Sequence, residues 1–233
     1  MIARFAAPAL LAVVAAAPAS AAVIGTYTFD NTAGAASAPA SKSIDAQPDD
    51  ATFSDFVVIG ANEVTGGKAP GQNNRNRLGT DGWNTGDQSF DAGKYVGFTL
   101  TADTGFVLDL NEFSLGFGVA NDTNNTGDGF SPRDLSVIAR TSANGTFVEI
   151  INENDIQLGS NAFTTFTANL TGFADTEFFE VRIRAADPDI ASRPARFDNI
   201  SIDAQVIPEP ASLALVAAGL GLVLTRRGRL VGG

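Results

Sequence analysis

The feature that most constrains this chain is a two-residue hydrophobic period. Residues 112–119 carry Phe113, Leu115, Phe117 and Val119 on one side and Ser114, Gly116 and Gly118 on the other. That alternation belongs to a strand with one face in a core. It returns at residues 95–101, where Val96, Phe98 and Leu100 oppose Tyr95, Gly97 and Thr99. At 178–184 an inward row is formed by Phe179, Val181 and Ile183, and at 197–206 by Ile200, Ile202 and Ala204. Further strand-like runs at 23–29, 53–59, 135–140, 146–150 and 164–170 bring the total to roughly nine, separated by Gly, Asn, Asp and Ser clusters. No run has a helical period, so parallel strands linked by helices are excluded. The pattern predicts an all-β fold, an antiparallel two-sheet β-sandwich. The 17 phenylalanines suit such a core, because a ring fills the gap between facing sheets. Two connections, 60–93 and 120–132, are long enough to be functional loops.

The ends of the chain follow other rules. Residues 1–21 have a basic start at Arg4, an apolar centre and the small residues Ala19-Ser20-Ala21, the layout of a signal peptide cut by signal peptidase before Ala22. At residues 207–233, Pro208-Glu209-Pro210 leads into an uncharged run rich in Leu, Ala and Val, followed by Arg226, Arg227 and Arg229. The prolines fix φ and remove donors, which predicts an extended segment outside the preceding sheet. The apolar run predicts a transmembrane helix whose basic end stays cytoplasmic. About 15 residues at 1.5 Å each reach roughly 22 Å, short of the roughly 30 Å hydrocarbon core, so the insertion is expected to be transient. The order of turn, apolar helix and arginines resembles the PEP-CTERM sorting signal of Gram-negative bacteria. That resemblance implies processing by an exosortase-type enzyme and delivery of residues 22–206 to the cell surface or extracellular space.

Composition narrows the chemistry of the exported part. The chain has 15 basic and 26 acidic residues, a net charge of −11, and several of the basic ones lie in the two end segments. Such a surface repels phosphate backbones and argues against nucleic-acid binding. It is compatible with Ca²⁺ or neutral polysaccharide. The sequence contains no Cys and no His. The domain therefore has no disulfide framework, and Ser-His-Asp, Cys-His and imidazole–zinc chemistries are excluded.

The central segment carries a second resemblance. Asp81-Gly82-Trp83-Asn84-Thr85-Gly86, residues 94–101, Phe113-Ser114-Leu115 and Arg196-Phe197-Asp198-Asn199-Ile200 are similar to ectodomains found upstream of this kind of sorting signal, which look like galactose-binding-like jelly rolls. The resemblance implies a jelly-roll version of the sandwich. It also implies a structural calcium site where the first and last strands meet, with Asp30 and Asp198 as the matching candidates. The simpler role for Asp198 is to bond local backbone donors in a turn.

Three further segments hold candidate chemistry. Trp83, the single tryptophan, stands beside Asn84 and Asp87, with Gln72, Arg75 and Arg77 in the same long connection. An exposed ring there would stack on a pyranose while the polar neighbours bond its hydroxyls; a buried one would plug an end of the core. Residues 121–129 have Asp122, Asn124 and Gly127 at early calcium-loop spacing, but Thr126 and Arg133 break the pattern, leaving a solvated loop. Glu153 and Asp155 are the nearest approach to a glycosidase carboxylate pair, in a turn-like segment without a third acid. The reading is an exported, non-enzymatic structural or exopolysaccharide-associated module, with a secreted carbohydrate-active hydrolase as the alternative.

Overall fold

The computed structural model describes residues 22–29, 42–64, 78–119, 132–156, 163–173, 175–188 and 194–209. The segments expected to form a signal peptide and a transmembrane helix lie outside these residues. Among the described residues no helix is long and apolar enough to cross a membrane. The strands are β1 (Ala22–Tyr27), β2 (Ala51–Phe53), β3 (Val57–Ile59), β4 (Asn62–Val64), β5 (Leu78–Asp81), β6 (Tyr95–Ala102), β7 (Phe106–Val119), β8 (Asp134–Arg140), β9 (Val148–Glu153), β10 (Phe163–Asn169), β11 (Phe178–Ala186) and β12 (Ala195–Pro208). One 3₁₀ turn, Thr171–Phe173, follows β10.

These strands form two antiparallel sheets. The first runs β10-β7-β12-β5-β4 with β1 also on β12, and the second runs β2-β6-β11-β8-β9 with β3 also on β6. From β5 onward the chain passes repeatedly between the sheets, with β6, β8, β9 and β11 in the second and β7, β10 and β12 in the first. This is the winding of a two-sheet jelly roll. The expected inward rows face each other. Phe113, Leu115 and Phe117 of the first sheet and Phe98, Phe179, Val181 and Ile183 of the second are all buried. At roughly 1.5–3 kcal/mol per large apolar side chain, these rows supply much of the driving force for folding.

Two bulges explain where simple alternation fails. The expected single strand at 53–59 is split into β2 and β3, both on β6. Phe53 pairs with Leu100 and Val57 with Gly97, so three residues, 54–56, oppose two. The extra residue turns both Phe53 and Phe56 inward, although an uninterrupted strand would put them on opposite faces. Phe56 lies 5.0 Å from Phe29 and 5.3 Å from Tyr27, ring centre to ring centre. The second bulge lies between Asp198 and Ser201 of β12, at Asn199 with φ 48°. It lets Phe197 and Ile200 both face the core. There β12 changes neighbours, from β5 at 195–197 to β1 at 200–204.

Two expectations are corrected. The connection 60–93 is not one loop, because β4 and β5 lie within it and pair with each other. Nor does the proline turn stay clear of the sheet. Ile207 and Pro208 pair with Val107 and Phe106, and the Glu209 N–H donates to the Gly105 carbonyl at 2.9 Å. In an antiparallel ladder only alternate residues turn their N–H toward a given neighbour. With Glu209 bonded to β7, Pro208 sits where its missing donor would point away, so the ladder tolerates it.

Candidate ligand-binding surface

Beyond β5 the chain turns at Gly82, where φ is +83°, and drops Trp83 into the end of the sandwich. Its ring packs edge-on against Phe197 at 6.5 Å, and its indole N–H donates to the Thr80 carbonyl at 2.9 Å. The side chain is 1% exposed. Of the two roles open to Trp83, this is the core plug and not the sugar-stacking ring. An enclosed indole has no face for a pyranose, and it instead forms the floor on which the following loop rests.

That loop is tied down at several points. Asn84 forms a bridge with Ala186 at the end of β11, its carbonyl accepting from the Asp187 N–H at 2.9 Å. The Gln88 N–H donates to Oδ2 of buried Asp134 at 2.6 Å, while Oδ1 of Asp134 accepts from the Asp155 N–H at 3.0 Å. Lys94 donates to the Gly82 carbonyl at 2.7 Å and to Asn84 Oδ1 at 3.1 Å. The result is an open depression of about 400 Å³ lined by Trp83, Asn84, Thr85, Gly86, Ser89 and Lys94. Of the residues expected to bind a ligand, Asn84 lines this depression, and Asp87 is exposed in the same loop.

The outward face of the second sheet holds groups that sequence reasoning missed. On β11 the residues between the inward Phe179, Val181 and Ile183 are Glu180, Arg182 and Arg184. The Arg182 guanidinium lies 4.2 Å from the centre of the Tyr95 ring and 4.4 Å from that of Phe147. Arg140 of β8 lies 4.6 Å from the same Phe147 ring. Glu180, only 8% exposed, accepts from Nε of Arg140 on one oxygen and from Nε of Arg182 on the other, each at 2.7 Å. The terminal nitrogens of Arg182 have no hydrogen-bond acceptor among the described residues. Arg184 donates to Ser136 Oγ at 2.6 Å and lies 3.7 Å from Glu149, with the Phe90 ring at 5.3 Å. Its Nε is buried and has no partner among the described residues. Burial pulls the Arg184 guanidinium below its usual pKa, opposed by the Glu149 charge. Guanidinium over aromatic faces is a favourable cation–π arrangement, stronger as water is excluded. The signal for this row was present in the period-two pattern, since residues 180, 182 and 184 had to face away from the core.

The other expected sites fall as follows. Asp198 is buried at the β12 bulge, and its Oδ1 accepts from the Asn199 N–H at 2.8 Å, the local backbone role. Asp30 lies outside the described residues, as do Gln72, Arg75, Arg77 and the loop 121–129. Among the described residues no group of three or more His, Cys, Asp or Glu is placed to hold a metal ion. Glu153 ends β9, and Asp155 sits in a turn with φ 50°, 3.7 Å from Arg133. Pro208 and Glu209 belong to the end of β12 and its last hydrogen bond. Pro210, Arg226, Arg227 and Arg229 lie outside the described residues.

No family model matches the chain, and no curated protein matches it in sequence. Solved structures similar to it include the CBM22-1 xylan-binding domain of Xyn10C from Paenibacillus barcinonensis, with a TM-score of 0.41 and 12% identity over 83% of this chain and 99% of that one. A family 29 carbohydrate-binding module from Piromyces equi superposes with a TM-score of 0.36 and 11% identity, covering 66% of this chain and 90% of that one. The CBM27-1 module of Caldicellulosiruptor saccharolyticus, solved with mannohexaose, gives 0.36 and 12% over 62% and 82%. Likenesses at this level decide nothing about a ligand. The sandwich itself is read from its ladders.

Proposed function

We propose that this chain is an exported, non-enzymatic β-sandwich module of the cell surface or extracellular matrix that associates with polysaccharide. In this reading signal peptidase releases the N-terminus at Ala22. An exosortase-type enzyme then handles the Pro208-Glu209-Pro210 tail during a transient stop in the inner membrane. The supporting observation is the depression beside Trp83. There Asn84, Lys94 and Ser89 line an open surface over the buried Trp83 ring, with the Lys94 ammonium donating to Asn84 Oδ1. A few fixed polar groups over a rigid base are what hydroxyl recognition requires, because little side-chain entropy is then lost on binding.

Incubating the full chain with a panel of soluble glycans tests the activity. Retention of a glycan without new reducing ends is the expected result. Release of reducing ends would favour the hydrolase alternative, and failure to retain any glycan would contradict a polysaccharide-associated role. For the sorting step, membrane fractions from cells with and without the processing enzyme should differ in the mass of the chain. An unchanged full-length mass in both would contradict processing at the tail.

A further inference from the structure

We infer that the outward face of the second sheet, around Tyr95, Arg182, Phe147 and Arg184, binds the carboxylates of an acidic polysaccharide. This names a ligand class for the module proposed above and rests on that reading, but it places the contact on the sheet face beside the loop depression. Three observations carry it.

The first is charge placement. The chain carries −11 overall, yet three guanidiniums gather here around two carboxylates, Glu149 and Glu180. A local positive field on an acidic protein draws anions to that one face and repels them elsewhere. The second is free donor capacity. Glu180 engages Nε of Arg182 and thereby fixes the plane of its guanidinium, leaving the terminal pair without an acceptor among the described residues. Two parallel N–H groups held in one plane match the two oxygens of a carboxylate. The third is rigidity. Arg182 pairs across the strand with Gly97, which has no side chain to compete for space, and lies between the Tyr95 and Phe147 rings. Little ordering remains to be done on binding. Arg184 extends the row two residues along β11, about 6.7 Å away, and Phe90 of the loop beside the depression lies over it. A glycan chain on this face would therefore meet successive cationic positions and then the depression.

The experiment is calorimetric titration of the full chain in mild detergent with polygalacturonate, dextran and polyglutamate, at low and moderate salt. The variants are R182Q, R182K, N84A and T165A, each checked first by thermal melting. Polygalacturonate should bind more tightly than dextran, with an affinity that falls as salt rises. Both R182Q and R182K should lower that affinity by about tenfold or more, because lysine keeps the charge and loses the planar fork. T165A, on the opposite sheet, should leave it unchanged. Equal affinity for dextran, equal affinity for polyglutamate, or full affinity in R182Q would each overturn the inference. Dextran binding that N84A weakens and R182Q leaves alone would overturn it while sparing the loop-based reading. Absence of binding to any glycan would overturn both. If R182Q does not fold, the Nε–H resonances of Arg182 and Arg184 in the wild-type chain decide. Movement on adding polygalacturonate supports the inference, and silence overturns it.

Discussion

The two sheets share one inward chemistry and differ in their outward ones. Outside the first sheet, β7 presents Glu112, Ser114, Gly116 and Gly118, paired across the ladder with Thr167, Thr165 and Phe163 of β10 and with Asp203, Ser201 and Arg196 of β12. Outside the second, β11 presents Glu180, Arg182 and Arg184 against Arg140, Ser136 and the Tyr95 and Phe147 rings. The first face is small, polar and acidic along most of its length, with Arg196 and Phe163 flanking Gly118 at one end; the second gathers three guanidiniums and aromatic rings. Inward rows of either sheet do the same job, so folding does not account for the difference. A net charge of −11 therefore describes the chain and not its individual surfaces. Total charge alone, compatible with Ca²⁺ or neutral polysaccharide, gives no sign of the three guanidiniums gathered on one face.

Substitutions sharpen that contrast in order of size. The largest effect should come from neither outer face but from the plug beneath the loop. Trp83→Ala should cost about 3–5 kcal/mol in denaturant unfolding, through the lost apolar burial and the cavity left beside Phe197. A cost below about 1 kcal/mol would mean that the indole does not support the loop.

Next comes a pair of glycines, one per sheet. A Cβ on Gly97 would lie 2.1 Å from the Val181 carbonyl oxygen, part of the neighbouring backbone, whereas one on Gly118 would meet the Phe163 ring. A ring can swing aside, and a ladder cannot without parting. Gly97→Ala should therefore destabilise by about 2–3 kcal/mol and Gly118→Ala by less, a ranking that parallel thermal melts would establish.

Carboxylates give the smaller contrasts. Glu180→Gln removes the charge that two guanidiniums share, in a mostly buried setting, and should cost about 1–2 kcal/mol. Asp203→Asn on the first sheet keeps an acceptor for the exposed hydrogen bond from Asn111 at 3.1 Å. It neutralises a carboxylate whose Oδ1 is buried without a partner among the described residues, so it should stay within about 0.5 kcal/mol. If the two costs were equal, the guanidinium row would be an ordinary solvated surface.

Much of the sandwich was legible because period two reads directly as faces. Phe113, Leu115, Phe117, Phe179, Val181 and Ile183 all lie where alternation puts them. The misses have local causes. β4 and β5 are three and four residues long, too short to show a period, and they exist because backbone ladders pair them. The bulges at 54–56 and at Asn199 reverse parity by one residue, an event with no hydrophobic signature. Pro208 read as a break, although a proline is harmless at a ladder position whose donor points outward. At the candidate site, sequence left Trp83 open between a stacking ring and a core plug, and the turn at Gly82, with its positive φ, decides for the plug. The period-two pattern placed residues 180, 182 and 184 outward, yet their neighbours come from elsewhere, Tyr95 from β6 and Phe147 from the connection just before β9, and follow only from the tertiary fold.

The contrast between the two outer faces is tested most directly by a residue-resolved NMR titration of the folded chain with a short oligogalacturonate. Shifts confined to Tyr95, Gly97, Arg182, Arg184 and the adjoining loop around Asn84 are predicted, with Ser114, Gly116, Thr165 and Ser201 unmoved. Perturbations centred on the first sheet, or spread evenly over both, would contradict it.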